Sequence, residues 1–172
     1  MFERSLLVVV LIFSVFFAFT ASAQVPSAAE TDIFRPDKDD IFSWMNQASN
    51  IPAAQQNERA DAALKGISAS SSKTPRSDFQ LCLGLAYLGN AIAQRCVGYA
   101  YEKGVGIVDD PLEAHVWFEL ALDGGNVESK ADVTRVLLLL NSAYPAPTEE
   151  ELELMAAEQK GKIAAYQKEI KR

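Results

Sequence analysis

Pro75, Pro111 and Pro147 stand 36 residues apart, and so do Gly89, Gly125 and Gly161; Asn90 and Asn126 follow the first two glycines. Proline is tolerated in the first turn of a helix, where its missing N–H has no partner to lose. Glycine marks helix ends, where the chain turns through a left-handed conformation. Start and stop signals that keep one phase over three cycles describe a repeated unit of two antiparallel helices. One such pair cannot bury its apolar face alone, so neighbouring pairs must stack.

The stretches between these signals carry helical periodicity. "DDIFSWMNQASN" spaces Ile41, Trp44, Met45 and Ala48 along one face, with Asp39 or Asp40 as start cap and Asn50 as end. Pro52 opens a second helix, a Ser-rich loop follows, and five further helical segments run to the C-terminus. No segment sustains two-residue alternation. The expected fold is all-α: a short α-solenoid of 36-residue helix pairs, with an N-terminal helix before it and a C-terminal capping helix after it. The repeat domain covers 39–172; its clearest unit is 91–126, and 55–90 and 127–162 are degenerate copies. In the clear unit, Gly104 and Gly106 supply the turn, and Asp110 caps the second helix with Pro111 at its first position and Glu113 placed for a reciprocal cap. Gly98 marks a close helix crossing. Val97, Ala100 and Tyr101 form the inner face of one helix; Ala114, Trp117, Phe118, Ala121 and Leu122 form that of the other.

The chain opens with a different signal. Arg4, an apolar run from Leu6 to Phe19 and the triplet Ala21-Ser22-Ala23 have the three-part layout of a secretory signal, with cleavage expected after Ala23. The run falls short of the roughly 20 residues of a spanning helix. Residues 24–38 are polar and read as a flexible lead. Export to the periplasm or beyond follows as the expected localisation. The net charge of −7 disfavours nucleic acid as a partner.

Export bears on Cys82 and Cys96, which flank the Gly89-Asn90 turn at similar distances. They meet if both face inward, and an oxidising compartment favours a disulfide over two buried free thiols. "GVGIVD" lacks the third glycine and the preceding strand of a dinucleotide loop and has no P-loop lysine, so it reads as a turn. His115, the only histidine, has no companion ligands in sequence and reads as a partly exposed helix residue. No metal or cofactor is expected. "TEEELELM" suits the start of a helix, where carboxylates meet the positive dipole end. Leu152, Met155, Ile163, Tyr166 and Ile170 then form an apolar stripe, either a cap on the array or a partner-docking helix or membrane-surface contact. Arg95, Tyr99 and Glu102 share one helix face, and Arg135 sits in the next unit at the position of Tyr99. They are the candidate protein-binding residues, the alternative being an ordinary solvent face.

Ala91, Ala93, Gln94, Gly98, Tyr101, Gly104 and Gly106, followed by Glu113, Ala114, Trp117, Phe118, Ala121, Gly125 and Asn126, resemble the Sel-1-like repeat, a relative of the tetratricopeptide repeat. Val97 and Ile107 replace the usual Leu and Val of that pattern. The resemblance covers 91–126, partly extends over 75–90 and 127–162, and is absent before about residue 55. It implies an α-solenoid that acts as a non-enzymatic adaptor for a protein or peptide in the cell envelope. It also leaves open an envelope hydrolase or a β-lactam- or peptidoglycan-binding protein, since some exported relatives of this repeat carry that link.

Overall fold

The computed structural model describes residues 34–143 and 145–171, so the expected signal segment and residues 24–33 of the lead lie outside it. The described residues form seven helices and no strand: α1 Lys38–Ser49, α2 Ala53–Ser68, α3 Pro75–Tyr87, α4 Ala91–Lys103, α5 Pro111–Asp123, α6 Ser129–Asn141 and α7 Glu149–Ile170. The all-helical expectation holds.

Local signals set most of these boundaries. Pro75 and Pro111 occupy the first turns of α3 and α5. Asn90 caps α4, accepting the Ala93 N–H at 3.0 Å. Asp110 caps α5, accepting the N–H groups of Leu112 and Glu113 at 3.0 and 3.1 Å. Thr148 and Glu151 cap α7 reciprocally. Three expectations need correction. The cap of α1 is Asp37, not Asp39 or Asp40, with Asp40 as its reciprocal partner, so the helix starts at least two residues earlier than those caps would set it. Glu113 makes no reciprocal cap, because the Asp110 N–H that it would accept is donated to the Tyr101 carbonyl at 2.9 Å. Gly161 lies inside α7 rather than at a helix end: no turn is required there, and the helix runs straight through it.

From α2 to α6 each helix packs on the next, and α1 packs on α3, α2 on α4 and α5 on α7. Phe34 precedes α1 and rests on the core against Trp44, with the Arg76 guanidinium over its ring at 3.7 Å. Residues just before α1 are thus packed on the domain. Two hydrophobic clusters form the interior. The larger joins α1 to α5 through Trp44, Phe79, Leu85, Val97 and Trp117. The smaller joins α5, α6 and α7 through Ala114, Phe118, Val136, Leu140 and Leu152. Helix α5 belongs to both and is covered nearly all round.

Two glycines make this packing possible. A Cβ at Gly98 would stand 2.7 Å from the Phe118 ring, well inside contact distance. Gly106 has φ +83° and lies against the Pro75 carbonyl, where any side chain would collide. The "GVG" segment is therefore the turn that seats the α4–α5 connection on the start of α3. Cys82 and Cys96 form a disulfide joining α3 to α4, with Cα atoms 6.0 Å apart and both residues fully buried. Closing a loop of about 15 residues contributes roughly 3 kcal/mol in the chain-entropy account.

Gly98→Ala is expected to destabilise the fold by about 1–3 kcal/mol through overpacking against Phe118, outweighing the roughly 0.5–1 kcal/mol that alanine gains in a helix. Urea unfolding measures it; a stability equal to or above the parent would show that α4 and α5 can separate without loss.

Candidate functional site

The four residues singled out on α4 and α6 come together, around one residue the sequence did not flag. Asp132 is 2 % exposed. Its carboxylate accepts hydrogen bonds from the Tyr99 hydroxyl at 2.6 Å, from Arg95 Nε at 2.7 Å and from an Arg135 terminal nitrogen at 2.7 Å. Arg135 also grips Glu102 with two parallel bonds of 2.8 Å, and Arg95 pairs with Glu128. Burial works against the Asp132 charge, but the hydrogen bonds from Tyr99, Arg135 and Arg95 outweigh it and hold the carboxyl below its ordinary pKa. The group clasps α4 to α6. Asp132 is not marked by any local pattern: beyond Arg135, three residues on, its partners lie 33 and 37 residues away.

A second arrangement lies on the side of the odd-numbered helices. Helix α7 packs along α5 and reaches α3 and α1. Its Gln159 and Gln167 side chains donate to the Tyr87 hydroxyl at 3.0 Å and the Tyr87 carbonyl at 2.9 Å. Tyr166 stacks on Tyr87, with centroids 5.4 Å apart. Between α7, the first residues of the described chain and the α4–α5 turn is a cavity of about 290 Å³. Five rings line it: Phe34, Tyr87, Tyr101, Trp117 and Tyr166. Burial pushes the Tyr87 hydroxyl up to about 12 and raises that of Tyr101 as well.

Glu113 belongs to this cavity. Burial first, and the neighbouring Asp110 second, raise its pKa; Lys162 and the Trp117 indole pull the other way. Trp117 is 2 % exposed, and its N–H lies toward Glu113 without an acceptor in hydrogen-bonding range. Periodicity marked Trp117 and Tyr101 as core, and Glu113 was read as a cap partner; the helix α7 wall that turns them into a cavity comes from distant sequence.

His115 is 5 % exposed, not partly exposed as expected, because α6 and α7 cover the face of α5 that carries it. It lines a groove of about 560 Å³ between these three helices. Its Nδ1 has no hydrogen-bond partner among the described residues, and Nε2 stands 3.9 Å from Glu119. Burial lowers its pKa, with Glu119 opposing, so the ring is neutral at pH 7. Among the described residues no three His, Cys, Asp or Glu side chains are grouped to hold a metal ion, and no helix is long and apolar enough to cross a membrane.

No family model, curated protein or solved structure matches the chain.

The two buried carboxylates have opposite pH signatures. Asp132 has a depressed native pKa, so its stabilisation is present above its unfolded value near 4 and is lost as the pH falls through the native value. Asp132→Asn is expected to lower stability by about 2–4 kcal/mol at pH 7, with the gap closing below pH 4, as read by urea unfolding across pH. Glu113 has a raised native pKa, so the protein gains stability from it as the pH falls from the native value toward the unfolded one. Glu113→Gln is expected to raise the urea midpoint at pH 7, and the gain is expected to vanish near pH 4. A lower midpoint at pH 7 would mean that the carboxylate makes contacts that stabilise it.

Proposed function

We propose that the protein is an exported, non-enzymatic helical-repeat scaffold of the Sel-1-like kind that binds a protein partner in the periplasm or outside the cell. The observation that carries the repeat reading is a shared register. Asn90 donates to Asn57 at 2.7 Å across α4 and α2, and Tyr99 to Asp132 and Arg135 to Glu102 across α4 and α6. Each of these pairs is separated by 33 residues, a common spacing that supports equivalent placement of successive even-numbered helices. A stack of equivalent units produces such a constant offset. The Cys82–Cys96 disulfide supports an oxidising destination.

The same register supports a docking surface. Ala91, Arg95 and Glu102 of the clear unit correspond, 36 residues on, to Val127, Ala131 and Leu138. Where α4 presents Arg95 and Glu102 to α6, α6 and the turn before it present apolar groups outward: Val127 in the turn is 78 % exposed, Leu138 69 % and Leu139 52 %. A following helix would stack on this face, and in this reading a helix of the partner takes that place, with the half-exposed Arg135 at its rim. Arg95, Tyr99 and Glu102 then serve the interface indirectly, by fixing α6.

A photo-crosslinker placed at Leu138 in cells is expected to trap one protein species. Val127→Asp should abolish the adduct without moving the urea midpoint, since Val127 is exposed. Adducts no different from those of a crosslinker at Glu58 on the α2 surface would overturn partner binding at this face. Adducts only with a second copy, matched by a dimer in light scattering, would replace it with self-assembly.

A further inference from the structure

We infer that the aromatic cavity between α7 and the odd-numbered helices is a binding site for a small alkylammonium compound that carries an oxygen acceptor near its charge. The site is distinct from the outer face of α6, so it stands or falls separately from partner binding there.

Four observations point to this chemistry. The cavity is of small-molecule size, about 290 Å³, and five aromatic rings line it. Ring faces attract cations, most strongly where water is excluded. One ring of the wall already does so: the Lys38 ammonium lies 5.9 Å from the Tyr166 centroid and 5.2 Å from that of Phe42. The wall also holds an anion, Glu113, that no cation among the described residues pairs with. Among the described residues Glu113 makes no ion pair and its nearest donor is the Trp117 indole, whereas Lys162 pairs with Glu158 at 2.8 Å and Lys38 with Glu169 at 3.1 Å. Last, the Trp117 N–H, buried and facing Glu113, has no acceptor within hydrogen-bonding distance among the described residues. An unpaired buried donor costs free energy, and so does an unpaired buried carboxylate. Glu113 and Trp117 are one helical turn apart on α5, so a single small ligand can meet both: its ammonium opposite the carboxylate, its oxygen on the indole N–H.

The charged wall is balanced in number, with Arg35, Lys38 and Lys162 against Asp109, Asp110 and Glu113, and two of its three cations are already paired with carboxylates outside it. Glu113 faces Asp110 on its own helix, Tyr101 on α4, Tyr87 on α3, and Lys162 with Glu158 from α7; Arg35, Lys38 and Asp109 complete the charged wall. Both tyrosines are neutral at pH 7, and Asp110 reinforces the negative charge. An anionic ligand would meet Glu113 and Asp110 together. A neutral ligand would leave the carboxylate desolvated.

Choline is the probe, because it joins a quaternary ammonium to a hydroxyl. Its titration into the oxidised protein at pH 7, followed by the Trp117 indole N–H resonance, is expected to saturate in the millimolar range or below. Tetramethylammonium, which lacks the oxygen, and 3,3-dimethylbutan-1-ol, which lacks the charge, are each expected to bind about tenfold more weakly or worse. Glu113→Gln should weaken choline by at least about tenfold, its urea midpoint showing that the fold persists. Lowering the pH to 4 should weaken choline for the parent but not for Glu113→Gln. No saturation by about 50 mM choline, equal binding of the neutral alcohol, an unmoved Trp117 resonance or an unchanged Glu113→Gln affinity would each overturn the assignment.

Discussion

The contact between Gly98 and the Phe118 ring sets the spacing of α4 and α5, and most of the interior depends on that spacing. Because α4 carries no side chain at this point, α5 sinks far enough to be buried on opposite sides. Val116, Trp117 and Leu120 join the larger cluster, while Ala114 and Phe118 begin the smaller one. A helix serving two cores cannot be moved without disturbing both. The smaller core has few members, and α6 keeps Leu138 and Leu139 in solvent. Its attachment therefore relies on the polar clasp around Asp132 more than the other helices rely on any ion pair. The exposed pairs elsewhere, such as Lys38 with Glu169 and Lys65 with Asp61, contribute little by comparison.

Helix α7 has the opposite design. Its 22 residues are long enough, at 1.5 Å per residue, to span about 33 Å, and they run from the smaller core back to α1. Along that path it meets α3 through Tyr87, which receives two glutamine hydrogen bonds and the stacked ring of Tyr166. It behaves less like a lid over one end of the array than like a strut along one side. The cavity is a consequence. A helix laid across α1, α3 and α5 does not fill the recess between the starts of α1 and α5 and the end of α3, and the gap is lined by whatever side chains those ends carry.

The residues that could be read in advance are those whose role is decided within one or two turns of chain. Pro75 and Pro111 are confined to first turns by their own rings, and Asn90, Asp110 and Thr148 by their short acceptors. Cys82 and Cys96 were legible because a tight turn joins their helices, so heights along the hairpin follow from counting. Gly161 misled because phase is not conformation: a glycine marks an end only where the chain must turn, and α7 does not turn. His115 misled because its helix is covered on a second side by α6 and α7, which its own periodicity cannot reveal. Asp132 looked like any helical acid. Its importance arises from three donors, two of them on α4 and one a turn further along α6.

Asp132 and Glu113 show how one functional group acquires two fates from its surroundings. Both are carboxylates taken largely out of water in the same small domain. Asp132 receives three donors, two of them cationic, and its charge is held. Glu113 has no cationic donor in contact, only the nearby Trp117 indole, stands beside another acid, and its charge is opposed. A carboxylate fully satisfied by its own chain has no further use for a ligand; its removal is felt as lost stability. A carboxylate left unsatisfied destabilises the fold that contains it, and an apolar or amide side chain in its place would relieve that strain. Glu113 also stands one turn from an indole N–H in the same predicament, with aromatic surface around both. One defect of this kind can be a tolerated accident of packing. An anion and a donor left open toward a shared cavity, and complementary to a single cation-bearing molecule, are a preorganised site whose cost to the fold binding would offset.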